Sequence, residues 1–377
     1  MKPAAADSTI NGQLTQWLER TNLRPVDSLV EVMFLDSLKS QERLVYAFGC
    51  NEFAESLAVH LDLAGVIDDV SVNDSFCGLP VIRSDSISSS ALIICCVVGV
   101  KPAGVISDMR SKGHLCLDYI RFRQVSELPL KPVWDLHHGP LDFVTNFDSY
   151  LSLYSEILEP ESKECLARLV AFRATGNLQY LSCYRDRRDV QYFESFCALE
   201  NRKPIFWDVG GFDGETSELY LHAMNHKAVA HIFEPIQAQC DFISRRFGDS
   251  DSVEVHHIAA SDREEPVHVH SDGSASRIVP DGSEIVTACR LDDLDLNPPG
   301  FIKLDIEGAE LKALDGMSKT IRAHTPLLAV AVYHKVTDLL SICDLVLSFN
   351  HAYELRLRHY TEGFTETILF FLPKTEQ

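Results

Sequence analysis

The sequence predicts an α/β protein with a Rossmann-like sheet in its C-terminal half, preceded by a smaller Rossmann-like α/β domain and a helical connector. Three observations predict it. The stretch FWDVGGFDGETS, residues 206–217, runs from an apolar strand through glycines into a helix N-terminus. Four further apolar runs follow, stopping at Glu234, Asp262, Asp305 and His334. Ahead of them, residues 41–135 alternate strand-like and helix-like segments.

Residues 1–40 read as a helical N-terminal segment and residues 41–135 as the smaller domain. In the latter, RLVYAFG is a strand, a helix starts near Asn51, and a second strand centres on Val66 and Ile67. ALIICCVVGVKPAGVISDMRSKG adds another strand and helix. The first turn has Gly49 but Ala54 where a dinucleotide fingerprint wants more glycine, so the domain reads as a scaffold rather than an NAD site. Residues 136–200 carry apolar positions at helical spacing, interrupted at Pro160 and Gly176, which predicts a helical connector. Its YRDRRD cluster interleaves bases with acids, the pattern of a solvated helix face.

Residues 201–377 form the larger domain. Its first strand ends at Val209, and Gly210, Gly211 and Gly214 make the turn, with Phe212 and Asp213 between them. In the dinucleotide form of this turn, backbone N–H groups and a helix N-terminus meet a pyrophosphate. Asp208 and Asp213 would repel a diphosphate. They suit a ligand that carries positive charge beside an adenosine, as S-adenosylmethionine does with its sulfonium and ammonium groups. AVAHIFEP is the second strand, ending at Glu234, and 234 − 214 = 20 is the spacing at which an acidic residue reaches ribose hydroxyls. VEVHHIAASD is a third strand ending at Asp262, GFIKLDIEGAEL a fourth entering a helix, and PLLAVAVYHK a fifth. YELRLRHY and TETILFFLP read as a closing antiparallel pair, and HSDGSASRIVPDGSE, residues 270–284, as a loop. Ligands in such sheets sit at strand C-termini, where Asp208, Glu234, Asp262, Asp305 and His334 all fall.

DVGGFDGETS, FEP, AASD, LDDLDLNPPGFIKLDIEGAEL and VYHKVTDL resemble the FkbM family of S-adenosylmethionine-dependent methyltransferases, over roughly residues 191–373. The resemblance implies a class I methyltransferase fold, with a seven-stranded sheet in the order 3-2-1-4-5-7-6. It also implies methyl transfer to a hydroxyl oxygen, often on a sugar or a polyketide. Where methyltransferases often have a third glycine, this chain has Phe212. The candidate cofactor site comprises Asp208, Gly210, Gly211, Asp213, Gly214, Glu234 and Asp262. FRATGNLQYL and QYF resemble the stretch that precedes the catalytic domain in longer FkbM-type proteins, which offers Arg173, Tyr192 and Phe193 either to the cofactor site or to ordinary helix packing.

Methyl transfer requires an acceptor oxygen aligned with the sulfonium carbon and a group to take its proton. His334 and Asp305 are the candidates. His334 leaves an apolar strand and titrates near neutrality; it is the base, an orienter of substrate, or merely a partner of the loop backbone. Asp305 is a general base, part of a magnesium site for the acceptor's hydroxyls, or a helix N-terminal charge, the role that fits Glu310. Magnesium ranks behind the base because no histidine or second acidic cluster stands near Asp305 in sequence. Asp305 and Glu307 alternate so as to face one side. Lys303, Glu307, Lys335 and His359 are the candidate acceptor-binding residues, the three cations suiting an anionic acceptor such as a nucleotide sugar or neutralising an acidic region. His256 and His257 point to opposite faces of one strand and cannot share an ion, while His268 and His270 read as a solvated strand edge, so no metal site is expected.

A formal net charge of −21 argues against nucleic acid and against anionic membrane surfaces. The apolar run ALIICCVVGV is half the length of a membrane span, and the N-terminus lacks the apolar core of a signal peptide. Eleven cysteines without C-x-x-C spacing read as thiols in a reducing cytoplasm. The expected protein is a cytoplasmic O-methyltransferase with a small-molecule or glycan acceptor, a saccharide or nucleotide-linked sugar. The alternatives are an O-methyltransferase of a secondary metabolite, a silent nucleotide- and sugar-binding scaffold, and an NAD-dependent dehydrogenase, against which Asp213 counts.

Overall fold

The computed structural model describes residues 3–26, 28–87, 90–272, 275–279 and 281–374, with side chains described outside 3–8 and 271–278. Contacts divide the chain into two compact units. One holds residues 1–155, 163–188 and 359–365; the other holds 156–162, 189–358 and 366–377. The expected connector is thus shared between units, because Leu166, Leu169, Val170 and Phe172 are buried and Trp17 donates its indole N–H to the Ala167 carbonyl at 3.1 Å. The stretch 359–365 is counted with the first unit for a similar reason. Its backbone bonds there, Arg187 N–H to the Tyr360 carbonyl and Glu362 N–H to the Val100 carbonyl, both at 2.9 Å. YRDRRD, residues 184–189, runs into a short 3-10 turn at Arg188–Val190 and is not part of an α-helix.

The first unit is built from α1 (Pro3–Thr21), α2 (Leu29–Ser40), β1 (Val45–Phe48), α3 (Glu52–His60), β2 (Gly65–Ile67), β3 (Ser75–Phe76), β4 (Leu79–Ile82), β5 (Leu92–Cys95), α4 (Pro102–Ser111), β6 (Leu115–Asp118), α5 (Tyr119–Val125) and α6 (Gly139–Thr145), with most of α7 (Phe147–Glu156) and α8 (Pro160–Thr175). Its sheet has the order β3-β4-β2-β1-β5-β6 and is parallel apart from the β3–β4 pair. Asn51 starts α3 where expected, its side chain accepting from the N–H groups of Phe53 and Ala54. β5 is apolar and buried at every position because strands flank it on both sides. The hairpin of β3 and β4, and β6, were not legible as separate strands.

The second unit contains β7 (Ile205–Val209), α9 (Glu215–Ala223), β8 (Val229–Glu234), α10 (Gln237–Phe247), β9 (Val253–His257), β10 (Ala259–Ala260), β11 (Glu265–Asp272), β12 (Ala275–Ile278), β13 (Glu284–Cys289), β14 (Phe301–Leu304), α11 (Glu310–Gly316), α12 (Ser318–His324), β15 (Leu327–Ala331), α13 (Asp338–Phe349), β16 (Tyr353–His359) and β17 (Thr367–Pro373). The main sheet has the order β16-β17-β15-β14-β7-β8-β9, which read from its far edge is the predicted 3-2-1-4-5-7-6. β17 runs antiparallel to β15, while β9, β8, β7, β14 and β15 run parallel.

Two expectations are corrected. The third strand is not continuous: Ile258 turns its N–H back to the His256 carbonyl at 3.0 Å, so β9 stays in the main sheet. β10 instead joins a second sheet of order β10-β13-β11-β12. The stretch 270–284 is not a loop, since β11 and β12 pair antiparallel there with Asp272 opposite Ala275; residues 273, 274 and 280 lie outside the described residues. Burial of Val269, Val286 and Ala288 against Ile236 and Ala259 holds this sheet in place, a long-range effect that a serine- and glycine-rich composition conceals. Among the described residues, no helix is long and apolar enough to cross a membrane.

Residues 156–162 are fixed to β16 by charge. Glu159 accepts two bonds from the Arg358 guanidinium, each at 2.8 Å, and pairs with Arg356, while the Ser162 hydroxyl accepts from Leu357 N–H at 2.9 Å. Burial works against the Glu159 charge, but Arg358, Ser162 and Arg356 outweigh it and hold its carboxyl at about 2, below the ordinary 4.5. A depressed carboxyl pKa stabilises the fold above 4.5, and that contribution is lost as pH falls towards about 2. Urea unfolding at pH 7 is expected to show Glu159→Gln less stable by about 2 kcal/mol, the scale of bonds to a charged group. That deficit should shrink as pH is lowered through the same window; a deficit that persists would contradict the ion-pair account.

Candidate functional site

β15, β14, β7 and β8 are adjacent in the main sheet, and the residues at their C-terminal ends make the site. Asp208 on β7 stands opposite Lys303 on β14, and both side chains are buried. The Lys303 ammonium lies 3.1 Å from Asp208 Oδ1 and donates to the Gly210 carbonyl, while the Ser217 hydroxyl of α9 donates to Asp208 Oδ2 at 2.7 Å. Burial pulls the Lys303 pKa down, but Asp208, Asp305 and Glu234 outweigh it and hold it above its ordinary value. The lysine is therefore charged and committed inside the sheet. Of the two readings the sequence left open, an anion-binding cation or a neutralising one, this geometry fits the second.

The glycines of the turn serve close packing. Gly210 has φ +86°, and a Cβ there would run into the Asp305 carbonyl; a Cβ on Gly211 would run into the Ile232 side chain. Neighbouring strands fill the space that a side chain at either position would need. The loop's donors are spent as well. The N–H groups of Gly210 and Gly211 go to the Phe233 carbonyl, that of Gly214 to the Gly211 carbonyl, and that of Glu215 to Asp213 Oδ1. Phe212, with φ +47°, donates its N–H to Glu234 Oε2 at 2.9 Å. A phosphate finds few donors left in such a turn, which counts against dinucleotide binding.

Glu234 closes β8, with Oε1 accepting from Ile236 N–H at 3.0 Å. Burial pushes its carboxyl up to about 7 against these two backbone bonds. Each oxygen accepts one N–H and retains a second acceptor site, which fits a pair of ribose hydroxyls.

The second cluster surrounds His334, just beyond β15. Its Nδ1 lies 3.0 Å from Glu310 Oε1, and its Nε2 lies 3.4 Å from Asp305 Oδ1 and 3.6 Å from Glu307 Oε2. Burial alone would lower the pKa of this imidazole, but Glu310, Asp305 and Glu307 outweigh it and push it up to about 9. The three carboxylates around the ring therefore favour its charged form over the neutral one that a base would need. Glu310, at the start of α11, also accepts the N–H groups of Ile306 and Gly308, so it is more than the helix-terminal charge expected of it. Asp305 and Glu307 do converge, by a turn with Glu307 at φ +58° rather than by strand alternation. Both side chains remain about one-sixth exposed, at 16% and 17%.

Tyr192 crosses the cluster, donating its hydroxyl to Asp305 Oδ2 at 2.7 Å with its ring 5.6 Å from the Lys303 ammonium. Tyr192 thus touches the candidate cluster as well as packing. Phe193 packs against Phe206, Tyr220 and Phe301. The Tyr333 hydroxyl reaches Asp305 at 3.5 Å, and Gln191 donates to Glu366 at 2.6 Å and to the Tyr192 hydroxyl at 3.1 Å. Sequence reasoning missed Tyr333, Gln191 and Glu366. Only the adjacency of Tyr333 to His334 was a signal; Gln191 and Glu366 are 175 residues apart.

The remaining candidates lie elsewhere. Asp213 stays on the turn, tied to Glu215 N–H and 3.6 Å from Arg246. Asp262 follows β10 and shares a shallow surface with Leu311, Asp315 and Ser341 of α11 and α13. The Lys335 ammonium donates to the Gly308 carbonyl. His359 is buried and bonds the Gly363 carbonyl at 2.8 Å, and burial pulls its pKa down to about 4, so it is a neutral packing histidine of the first unit. Arg173 is likewise buried within that unit.

Residues 208–366 match the family model of the methyltransferase FkbM domain. No curated protein matches the chain. The crystal structure of methyltransferase FkbM from Methylobacillus flagellatus KT is similar over 98% of this chain and 100% of that one, with a TM-score of 0.72 and 21% identity, which establishes the fold. The precorrin-6y C5,15-methyltransferase of Geobacter metallireducens GS-15 covers 51% of this chain and 94% of its own at 13% identity, but its TM-score is 0.31. The O-methyltransferase TomG of Streptomyces achromogenes covers 67% and 95% at 11% identity and 0.32. At those scores neither bears on function.

Lys303→Met would leave the Asp208 carboxylate buried without its cation. Unfolding in urea is expected to show a loss of about 3–5 kcal/mol, the cost of breaking a buried pair from one side. A loss below about 1 kcal/mol, the scale of a surface pair, would contradict the buried-pair account.

Proposed function

We propose, from the match of residues 208–366 to the methyltransferase FkbM domain, that this protein transfers a methyl group from S-adenosylmethionine to a hydroxyl oxygen of a neutral saccharide. Asp305 takes the proton, beside an imidazolium at His334. The observation behind this assignment is the ring of three carboxylates around His334, which favours a proton on the histidine and leaves Asp305, the other base the sequence offers, to take the acceptor's proton.

S-adenosylmethionine supplies, when bound, a methyl group on a positively charged sulfur. Acidic strand ends suit that charge, and Glu234 would hold the ribose through its remaining acceptor sites. Asp305 is bonded by Tyr192, faces His334, and is partly open to solvent, so a hydroxyl can approach it. With S-adenosylmethionine bound to supply the methyl group, the Asp305 carboxylate would take the proton of the acceptor hydroxyl. The His334 charge balances Glu307 and Glu310 and keeps Asp305 from facing two unopposed anions.

The acceptor follows from which cations remain. Lys303 is spent on Asp208 and His359 is neutral in the first unit, which leaves Lys335, whose ammonium bonds the Gly308 carbonyl in the acidic turn 305–310. Such a mouth repels a diphosphate and accepts bonds from uncharged hydroxyls. A neutral saccharide therefore fits better than a nucleotide-linked sugar. All eleven cysteines are free thiols, which fits a reducing cytoplasm.

The pH–rate profile separates the roles. With His334 required as imidazolium, the rate with saturating cofactor should fall as pH rises through about 9. With His334 as base, it should rise through the same point. Asp305→Asn is expected to lower kcat by about 10²- to 10⁴-fold. A rising alkaline limb together with an active Asp305→Asn enzyme would overturn the assignment. Inactivation by a chelator, restored by magnesium, would move the chemistry to a metal bound by Asp305.

Calorimetry should show Glu234→Gln binding S-adenosylmethionine more weakly by about 1.5–3 kcal/mol, the range for bonds to a charged group, with kcat at saturation changed far less. Equal affinity in the two proteins would remove Glu234 from the cofactor site.

A further inference from the structure

On the main sheet's edge, away from the strand ends, three metal-ligating side chains meet. β8 and β9 pair with His231 opposite Glu254 and Phe233 opposite His256, so these four residues share one face of the sheet. His231 Nδ1 lies 3.2 Å from His256 Nε2 and 3.2 Å from Glu254 Oε2, and His256 Nε2 lies 3.9 Å from Glu254 Oε1. The His256 ring is stacked on Phe233 at 4.8 Å, which fixes its direction. The sequence, comparing His256 with His257, had excluded a shared ion; the partner is His231 on the neighbouring strand.

We infer that His231, Glu254 and His256 form a binding site for a first-row transition-metal dication such as Zn²⁺ or Co²⁺, joining β8 to the edge strand β9. Three donor atoms lie within 4.8 Å of one another. A tetrahedral ion with bonds of about 2.0–2.1 Å has ligand-to-ligand edges of about 3.3–3.4 Å, close to the two shorter distances found here. Two imidazoles and one carboxylate select Zn²⁺, Co²⁺, Ni²⁺ or Cu²⁺ over magnesium and calcium, which prefer all-oxygen shells. The Glu254 side chain is 59% exposed, which gives the ion an entry and leaves the fourth position to water. Without an ion, the short His231–His256 contact needs one proton between two ring nitrogens; binding through both nitrogens puts the His231 proton on its Nε2 and that of His256 on its Nδ1.

The test uses the whole protein, stripped with chelator and titrated with Co²⁺ while its visible absorption is followed. One equivalent should bind and give the intense bands of a tetrahedral ion. Glu254→Gln and His256→Ala change partly exposed side chains and should weaken that binding by about 100-fold or more, since two ligands hold the ion far less well than three. His268→Ala/His270→Ala, which alters exposed histidines on β11, should leave it unchanged. Zn²⁺ should raise the melting temperature of the wild type but not of His256→Ala, a comparison that also reports whether the variant folds. Absence of stoichiometric binding, or binding equal in wild type and both single variants, would overturn the site.

Discussion

Positive charge enclosed by carboxylates is the constraint on which the site depends. A strongly acidic chain places Asp208, Glu234, Asp305, Glu307 and Glu310 at the ends of adjacent parallel strands, where burial makes unopposed anions expensive. Lys303 and an imidazolium at His334 are the protein's answer. The lysine fixes Asp208 and the Gly210 carbonyl, and so sets the shape of the turn after β7. The histidine binds Glu310, whose carboxylate also gathers the N–H groups of Ile306 and Gly308. Turn geometry and site electrostatics are therefore one system: neither cation is removable without disturbing the backbone that presents Asp305.

Pairing of buried ions costs desolvation on both sides and does little for net stability. What the pairs provide is placement. Asp305 is held by Tyr192 from one side and faces His334 from another, so its carboxylate has a fixed direction before any acceptor arrives. Glu234 is held in the same way by two backbone N–H groups, one of them from the left-handed Phe212. A phenylalanine in that conformation is strained, and its bond to Glu234 is what stabilises it there.

Strand ends were legible because each closes an apolar run, and the strand order followed from motif resemblance. Glu234 at 20 residues past Gly214, and Asp305 and His334 at neighbouring strand ends, came from that pattern. Partnership was not legible. Tyr192 meets Asp305 across 113 residues, and Lys303 meets Asp208 across two adjacent strands whose register no local pattern specifies. Lys303 did carry an unread signal: within FIKL, a strand flanked on both sides, a lysine has nowhere to go but into the interior. The surroundings of His334 were not legible for a related reason, since an ordinary histidine pKa holds only until three carboxylates surround the ring. The hairpin of β11 and β12 escaped because its composition is that of a loop, while its pairing is set by the buried side of a separate sheet.

The charge on His334 is the central claim, and NMR of histidine ring nitrogens measures it directly. In ¹⁵N-labelled protein, one of the fifteen histidines should remain doubly protonated at pH 8, titrate near 9, and vanish from the spectrum of His334→Gln. If the His334 ring is instead neutral at pH 7, losing its proton near the ordinary 6.5, the carboxylates do not hold it and Asp305 loses its claim to the proton.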